Sequence, residues 1–443
     1  MSSKPMTMMV ALLVVGMALG LGVGYYVAPP KVVTETQTVT VEKEPLSGKM
    51  VKIGDILAET PELEWNTPYI EKIIVPDMNK FAELLGYDVT FQILIDDAAE
   101  QGTIHLEKTQ SFKAMDVNLI IGGRWSSQAA ASLSYVNENN MLLWSPSSTA
   151  PTLRIADDNL YRMCPDDMVQ APAIAEMLWS WGIKAVITIQ RGDAWADGIY
   201  NILVTEFPAR GGVMREGDRV RYASETKEFS SYLASAEAKA NELIAIYGAE
   251  HVGIELICFG ADGSVLLSQV PDYPTLWGLM WFGSDGTALQ NLIRDNAPSQ
   301  AAHLFIPSTY AAPGESEVFF NLFNRYTAET GYTFGFYEAC HYDITMTLLE
   351  SVLEAQSADP KDIIPLQYPI TYKKWGASGW TLLNEAGDRK ATNYDIWGFI
   401  YVGTEPTYAR YGLFDGTSGR VTWYKDTTTP DGRAVPGLTP PGQ

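Results

Sequence analysis

The chain has 443 residues, 46% of them hydrophobic and 19% charged, which is enough for two or three compact units whose core needs no metal or disulfide. Lys and Arg number 31 against 53 Asp and Glu, and the formal charge of -22 repels phosphate backbones and excludes nucleic acid as a partner. Cys164, Cys258 and Cys340 form no C-x-x-C pair, and His105, His251, His303 and His341 stand apart, so no metal-ligand spacing is present and buried, inert thiols are expected.

In chain order, residues 1–5 read as a short cytoplasmic piece. Residues 6–28 carry no charge and are long enough to cross a bilayer, which takes ~20 apolar residues as a helix. A cleaved signal segment is the rival reading, because signal segments have shorter apolar runs. Gly16, Gly20 and Gly24 recur every fourth residue, a spacing that lets membrane helices approach closely. Residues 29–48, rich in Thr and Val with Pro near the ends, read as a stalk that holds a globular part off the membrane.

The globular part alternates strand and helix patterns. Strands are expected at 52–57, 88–93, 117–121 and 142–145, with helices at 68–85, 108–115 and 128–139 between them. The rhythm then repeats. Helices at 169–181, 195–207, 228–245, 265–269 and 287–295 alternate with strands at 185–190, 219–222, 252–258, 277–282 and 303–307. Such alternation specifies parallel sheets with helices on both faces, in two α/β lobes of similar build. In open parallel sheets, ligands sit beyond the carboxyl ends of the strands, so the loops at 122–127, 145–149, 191–195, 259–264 and 283–286 are candidate site elements.

Three of these loops carry ligand chemistry. Ser145-Pro146-Ser147-Ser148-Thr149 presents adjacent hydroxyls and amides that suit a carboxylate, or else is a plain Pro-flanked turn. In Gly122-Gly123-Arg124-Trp125-Ser126-Ser127, Ser126 either caps a helix or binds an anion, and Arg124 is placed at the surface rather than in a cleft. Asp285, in Gly283-Ser284-Asp285-Gly286, either pairs with a cationic amine or is a simple turn residue.

The order of these loops resembles the type I periplasmic binding proteins for branched-chain amino acids, over roughly residues 50 to 402. The resemblance implies two Rossmann-like lobes with parallel sheets, joined by a three-strand hinge and preceded here by a transmembrane helix. It implies that Ser126, Ser147, Ser148 and Thr149 hold an amino acid's carboxylate and part of its amine, that Asp285 binds its ammonium, and that Trp65 in PELEW supplies a pocket aromatic. Further matches are Phe336 to Ala355 with its Tyr342-Asp343 pair, and Gly376 to Val402 with Gly387-Asp388-Arg389. Trp195 stands where the family has Tyr, and the second-lobe aromatic site falls near Phe259 to Asp262 without a Tyr, which leaves the side-chain preference open. With hinge strands near 163–166, 305–309 and after 376, lobe 1 takes residues 49–165 and 306–375. Lobe 2 takes 166–305 and 376–410, and 411–443 is a C-terminal extension.

The resemblance implies the extracytoplasmic substrate-binding component of an ABC importer. It would bind a small solute, an apolar amino acid foremost, by hinge closure and hand it to permease subunits. A ligand-sensing receptor subunit, a binder of amide, urea-like or aromatic-acid ligands, and a structural surface protein are the alternatives. No nucleophile elbow, phosphate loop or triad is present, so neither an enzyme nor a cofactor is expected, although an acid pair such as Asp262 and Asp285 remains a formal candidate.

Overall fold

A computed structural model describes residues 46–390, 392–438 and 440. The expected membrane span and all but the end of the stalk lie outside the described residues. Among those described, no helix is long and apolar enough to cross a membrane. Leu46 is already buried in the core.

The first lobe is built from β1 (Lys49–Leu57), α1 (Leu63–Tyr69), a π turn at Ile70–Ile74, α2 (Val75–Leu84), β2 (Val89–Asp97), α3 (Gly102–Ala114), β3 (Leu119–Ile121), α4 (Ser126–Glu138), β4 (Leu142–Ser145) and β5 (Leu160–Arg162). Its strands pair in the order β2-β1-β3-β4-β5, all parallel. Alternating side chains serve the two faces, as a pleated strand requires. Val51, Ile53 and Leu57 join one core, whereas Ile56, Ile120 and Leu143 join Phe112, Ala129 and Val136 of α3 and α4 in another.

The second lobe follows with α5 (Asp167–Trp181), β6 (Ala185–Gly192), α6 (Ala194–Ala209), β7 (Arg219–Ala223), α7 (Ser230–Tyr247), β8 (Val252–Ile257), α8 (Gly260–Gln269), α9 (Pro274–Trp277), β9 (Met280–Gly283), α10 (Asn291–Asn296), α11 (Pro298–Leu304) and β10 (Ser308–Ala311). The Asp166 carboxylate accepts the amide of Met168 and the Asp193 carboxylate that of Ala196, so α5 and α6 both start on Asp caps. The chain then returns to lobe 1. There α12 (Glu317–Thr330) and α13 (Phe336–Ala355) bury Phe319, Tyr326, Phe336 and Leu348 in the same core as Ile53 and Leu142. A short hairpin, β11 (Trp375–Gly376) with β12 (Gly379–Trp380), leads to β13 (Tyr394–Val402), β14 (Glu405–Asp415) and β15 (Arg420–Trp423). The second sheet has the order β15-β14-β13-β10-β9-β8-β6-β7. It is parallel from β7 to β10 and antiparallel beyond. This is the α/β architecture of the type I periplasmic binding proteins.

Several boundaries differ from the sequence reading. The helices expected from 108 and 265 already start at Gly102 and Gly260, and the strand expected from 277 starts at Met280. Three further differences bear on the larger sheet and the cleft. Residues 303–307 were expected as a strand, but α11 runs to Leu304, Phe305 and Ile306 hold positive φ angles of 66° and 46°, and the strand starts at Ser308. The helix expected from 287 starts at Asn291, after Leu289 takes φ 54°. Residues 411–423, expected within the C-terminal extension, include the end of β14 and β15 of the larger sheet.

The chain passes between the lobes three times, at 163–166, after β10 and before β13. Buried charge fastens these passages. The Arg162 guanidinium donates to Asp388 Oδ1 at 2.5 Å and to the carbonyl oxygens of Ser148 and Ala150 at 3.1 and 2.9 Å. Asp343 on α13 accepts the amides of Ala377 and Ser378 and the Ser378 hydroxyl, and a Cβ on Gly376 would lie 2.1 Å from its carboxylate. Removing one member of a buried ion pair strands the other, at a typical cost of ~3–5 kcal/mol. Arg162→Ala is therefore expected to lower the unfolding free energy by that amount in denaturant titrations, and the double variant Arg162→Met/Asp388→Leu to regain most of it. A single variant as stable as the parent would show that this pair does not fasten the hinge.

Candidate functional site

The carboxyl ends of β1, β3 and β4 face those of β6, β8 and β9 across a cleft. In lobe 1, β1 ends in the turn that carries Glu59 and Glu62, and Trp65 and Asn66 follow on α1. β3 ends in Gly122-Gly123. Gly123 has φ +60°, and a Cβ there would meet Ala129 at 2.8 Å, so only glycine makes this turn into α4. Its amide donates to His105 Nε2 at 2.6 Å, which leaves Nδ1–H for Ser132 Oγ at 2.7 Å. Burial pushes His105 down to about 3, so it stays a neutral brace under the loop.

Arg124 is buried, contrary to the surface position expected of it. Its guanidinium lies 3.3 Å from Asp55 Oδ1, 3.4 Å from His341 Nδ1 and 3.8 Å from Glu62 Oε2, and His341 Nε2 lies 2.6 Å from Asp55 Oδ2. Burial alone would raise the Asp55 carboxyl, but His341 and Arg124 beside it hold it below the ordinary value. A buried carboxylate at the end of β1 needs a cation, and Arg124 is the one in reach.

In lobe 2, Arg191 donates to Asp193 at 2.5 Å and to Asp262 at 3.0 Å, and Asp262 also accepts the Tyr222 hydroxyl at 2.6 Å. Phe259 stacks on Trp195 of its own lobe and on Trp125 of the other, with ring centroids 4.4 Å apart in both cases, and Arg191 lies over Phe259. This three-ring stack bridges the lobes. A second bridge is the Tyr337 hydroxyl of α13, which donates to Asp285 Oδ2.

Two adjoining cavities of about 110 and 90 Å³ occupy the cleft. Of the residues expected from the sequence, Trp65, Ser126, Ser147, Trp195 and Asp285 stand in their walls. Trp65 leans on Tyr332. Ser126 Oγ accepts the Ala150 amide and Ser147 Oγ donates to the Arg124 carbonyl, so these hydroxyls also tie the two lobe 1 loops together. Ser148, Thr149 and Asp262 are buried outside both walls. The three cysteines are free and buried.

Sequence reasoning passed over Glu59, Glu62, Gln290 and Tyr337, which share these walls. The Glu59 and Glu62 turn follows the carboxyl end of β1, so the rule that picked out the other loops points to it as well. Burial, with Glu62, Glu100 and Asp262 nearby, pushes the Glu59 carboxyl up to about 8. Burial likewise raises Asp285, and burial with Asp285 alongside holds Asp167 well above the carboxylate range.

Two α/β lobes hinged at three passages and facing each other over a polar cavity define a bilobal ligand-binding protein. The family model described as the receptor family ligand binding region matches residues 75–401, and the chain belongs to that family. It is 25% identical over 410 residues, 88% of this chain, to an uncharacterised protein of Methanocaldococcus jannaschii, covering 95% of that protein. Its fold is similar to that of a leucine-binding protein from Thermotoga maritima (TM-score 0.65, 19% identity, 81% of this chain and 97% of the other). It is also similar to a branched-chain amino acid transporter substrate-binding protein from Streptococcus pneumoniae in complex with isoleucine (0.65, 14%, 85% and 100%). A third similar structure is an ABC transporter solute-binding protein from Rhodopseudomonas palustris in complex with 3,4-dihydroxybenzoic acid (0.64, 16%, 89% and 99%). All three solved structures are of proteins named for binding a solute.

The raised Glu59 carboxyl gives folding stability a pH dependence of defined sign. The folded state keeps a proton that the unfolded chain releases near 4.5, so stability falls as pH rises from about 4.5 to about 8 and the full penalty stands above that. Glu59→Gln is expected to remove up to ~1.4 kcal/mol per pH unit of this slope, measured as unfolding free energy against pH. Parallel curves for parent and variant would exclude an uncompensated acid at this position.

Proposed function

We propose that the chain is the extracytoplasmic substrate-binding component of an ABC importer, tethered through residues 6–28, and that it takes a free amino acid in the cleft. The observation that carries this reading is the placement of Asp285. Its Oδ1 is buried without a hydrogen-bond partner in the wall of a cavity whose opposite side holds Ser126, Ser147 and the Arg124 loop. A zwitterion fits such a cavity. Its ammonium meets Asp285, and its carboxylate meets the hydroxyls and amides at the amino end of α4 and beside it. The similar proteins named for leucine and crystallised with isoleucine support the same ligand class. Ser148 and Asp262 act behind the walls by holding Arg162 and Arg191 in place, and the Thr149 carbonyl accepts the amide of Asp167 at the start of α5.

Closure follows from the same geometry. A ligand held by both lobes favours the state in which both contacts form, and a preference of a few kcal/mol suffices. The Trp125–Phe259 stack and the Tyr337–Asp285 bond add protein contacts to that state.

Asp285→Ala should remove a charge-assisted contact, roughly 1.5–3 kcal/mol, and weaken amino-acid binding by about 10- to 100-fold in titration calorimetry. Unchanged affinity would remove Asp285 from the ammonium role. A thermal-melt panel of free amino acids, amides and aromatic acids names the class. Shifts with aromatic acids and none with amino acids would overturn the amino-acid reading.

A further inference from the structure

The cleft holds more acid than its own cations match. Arg124 is matched by Asp55 and Glu62, and Arg191 by Asp193 and Asp262. Among the described residues, neither Glu59 nor Asp285 forms an ion pair with a cationic side chain. Both line both cavities, with 7% and 6% of their surface exposed, and each has a buried carboxylate oxygen, Glu59 Oε2 and Asp285 Oδ1, with no hydrogen-bond partner. They come from opposite lobes. A buried carboxylate oxygen without a partner is costly, so two of them, on acids that no cation pairs with, mark where positive charge is missing from the cavity.

Resting on the amino-acid reading, we infer that the ligand is a basic amino acid, whose side-chain cation is taken by Glu59 while its α-ammonium meets Asp285. The surroundings of Glu59 agree. Glu62 and Asn66 from lobe 1 and Gln290 and Asn291 from lobe 2 offer polar atoms where an aliphatic side chain would need apolar ones. Trp65 and Leu289 flank the cavity and suit the methylene stem of a lysine or ornithine side chain. The acids Glu62, Glu100 and Asp262 act on Glu59, and the cations near it, Arg191 and the Arg124 of the same walls, are already matched, so the local field favours an incoming cation.

The test is titration calorimetry of the full-length chain with lysine, ornithine, norleucine, leucine and 1,5-diaminopentane. Norleucine keeps the length of lysine and lacks its charge. Lysine or ornithine is expected to bind at least about 10-fold more tightly than norleucine, the scale of one charge-assisted contact. Glu59→Gln is expected to erase most of that difference while folding as well as the parent. Near pH 7, lysine binding is expected to release protons, read from the dependence of the heat on buffer ionisation, and Glu59→Gln to abolish the release. Norleucine or leucine binding as tightly as lysine, or a lysine preference that survives Glu59→Gln, would overturn the inference and leave the amino-acid reading standing. Binding of 1,5-diaminopentane alone would keep Glu59 as a cation site and overturn the amino-acid reading. No binding by any of these would overturn both.

Discussion

Arg162 is the residue on which the geometry of the molecule turns. Its side chain is fully buried at the end of β5, the last strand before the chain first leaves lobe 1. With one guanidinium it ties that strand to Asp388 on the third passage and to the carbonyls of Ser148 and Ala150 in the loop that flanks the cleft. An ion pair buried this deeply adds little stability over a well-packed apolar alternative. What it supplies is placement. Two hinge segments and a site loop are held in one rigid corner, so relative motion of the lobes must pivot about it. Asp343 repeats the device on the other side of the hinge, where it receives the turn at 376–378, and Arg389 donates to Ser378 and to the carbonyl of Met163. The hinge is therefore an array of buried charges satisfied mainly by backbone.

Away from the hinge, the lobes touch through different chemistry. Trp125, Phe259 and Trp195 stack without any interlobe ion pair among them, and a single hydroxyl joins Tyr337 to Asp285. Stacked rings part and re-form at a cost of ~0.5–1.5 kcal/mol per pair beyond their buried area. A contact of that size biases a two-state equilibrium without locking it. The residues that make the bridge sit beside the cavity, so occupancy and closure act on the same few side chains.

Much of this was legible from the sequence because its strands and helices are locally consistent. VNLII, LLWS and VGIELI read as strands, and each gives a strand whose loop reaches the cleft. Where legibility failed, the reason was local. HLFIP looks like a strand, yet helix α11 and the positive φ angles at Phe305 and Ile306 take up those residues, and no pattern of apolar residues announces such a kink. Arg124 looked like a surface charge because nothing in the one-dimensional chain shows that Asp55, 69 positions earlier, is buried beneath it. Glu59 escaped for the opposite reason. Its place after β1 was predictable, but a carboxyl in a polar turn resembles any other until the opposite lobe covers it.

That covering explains why acids belong in a cleft that must respond to its ligand. A carboxylate keeps its charge readily while the lobes are apart and water reaches it. As the lobes close, Glu59 and Asp285 lose water, and each must take up a proton, gain a cation or resist the closure. Burial raises both carboxyls, and for Glu59, pushed up to about 8, this is the protonated solution in an empty cleft near neutral pH. A cationic ligand supplies the other solution. The same desolvation that penalises the empty closed state strengthens the attraction in the filled one, since charges interact more strongly away from water. Uncompensated acids on facing lobes thus widen the free-energy gap between filled and empty closure.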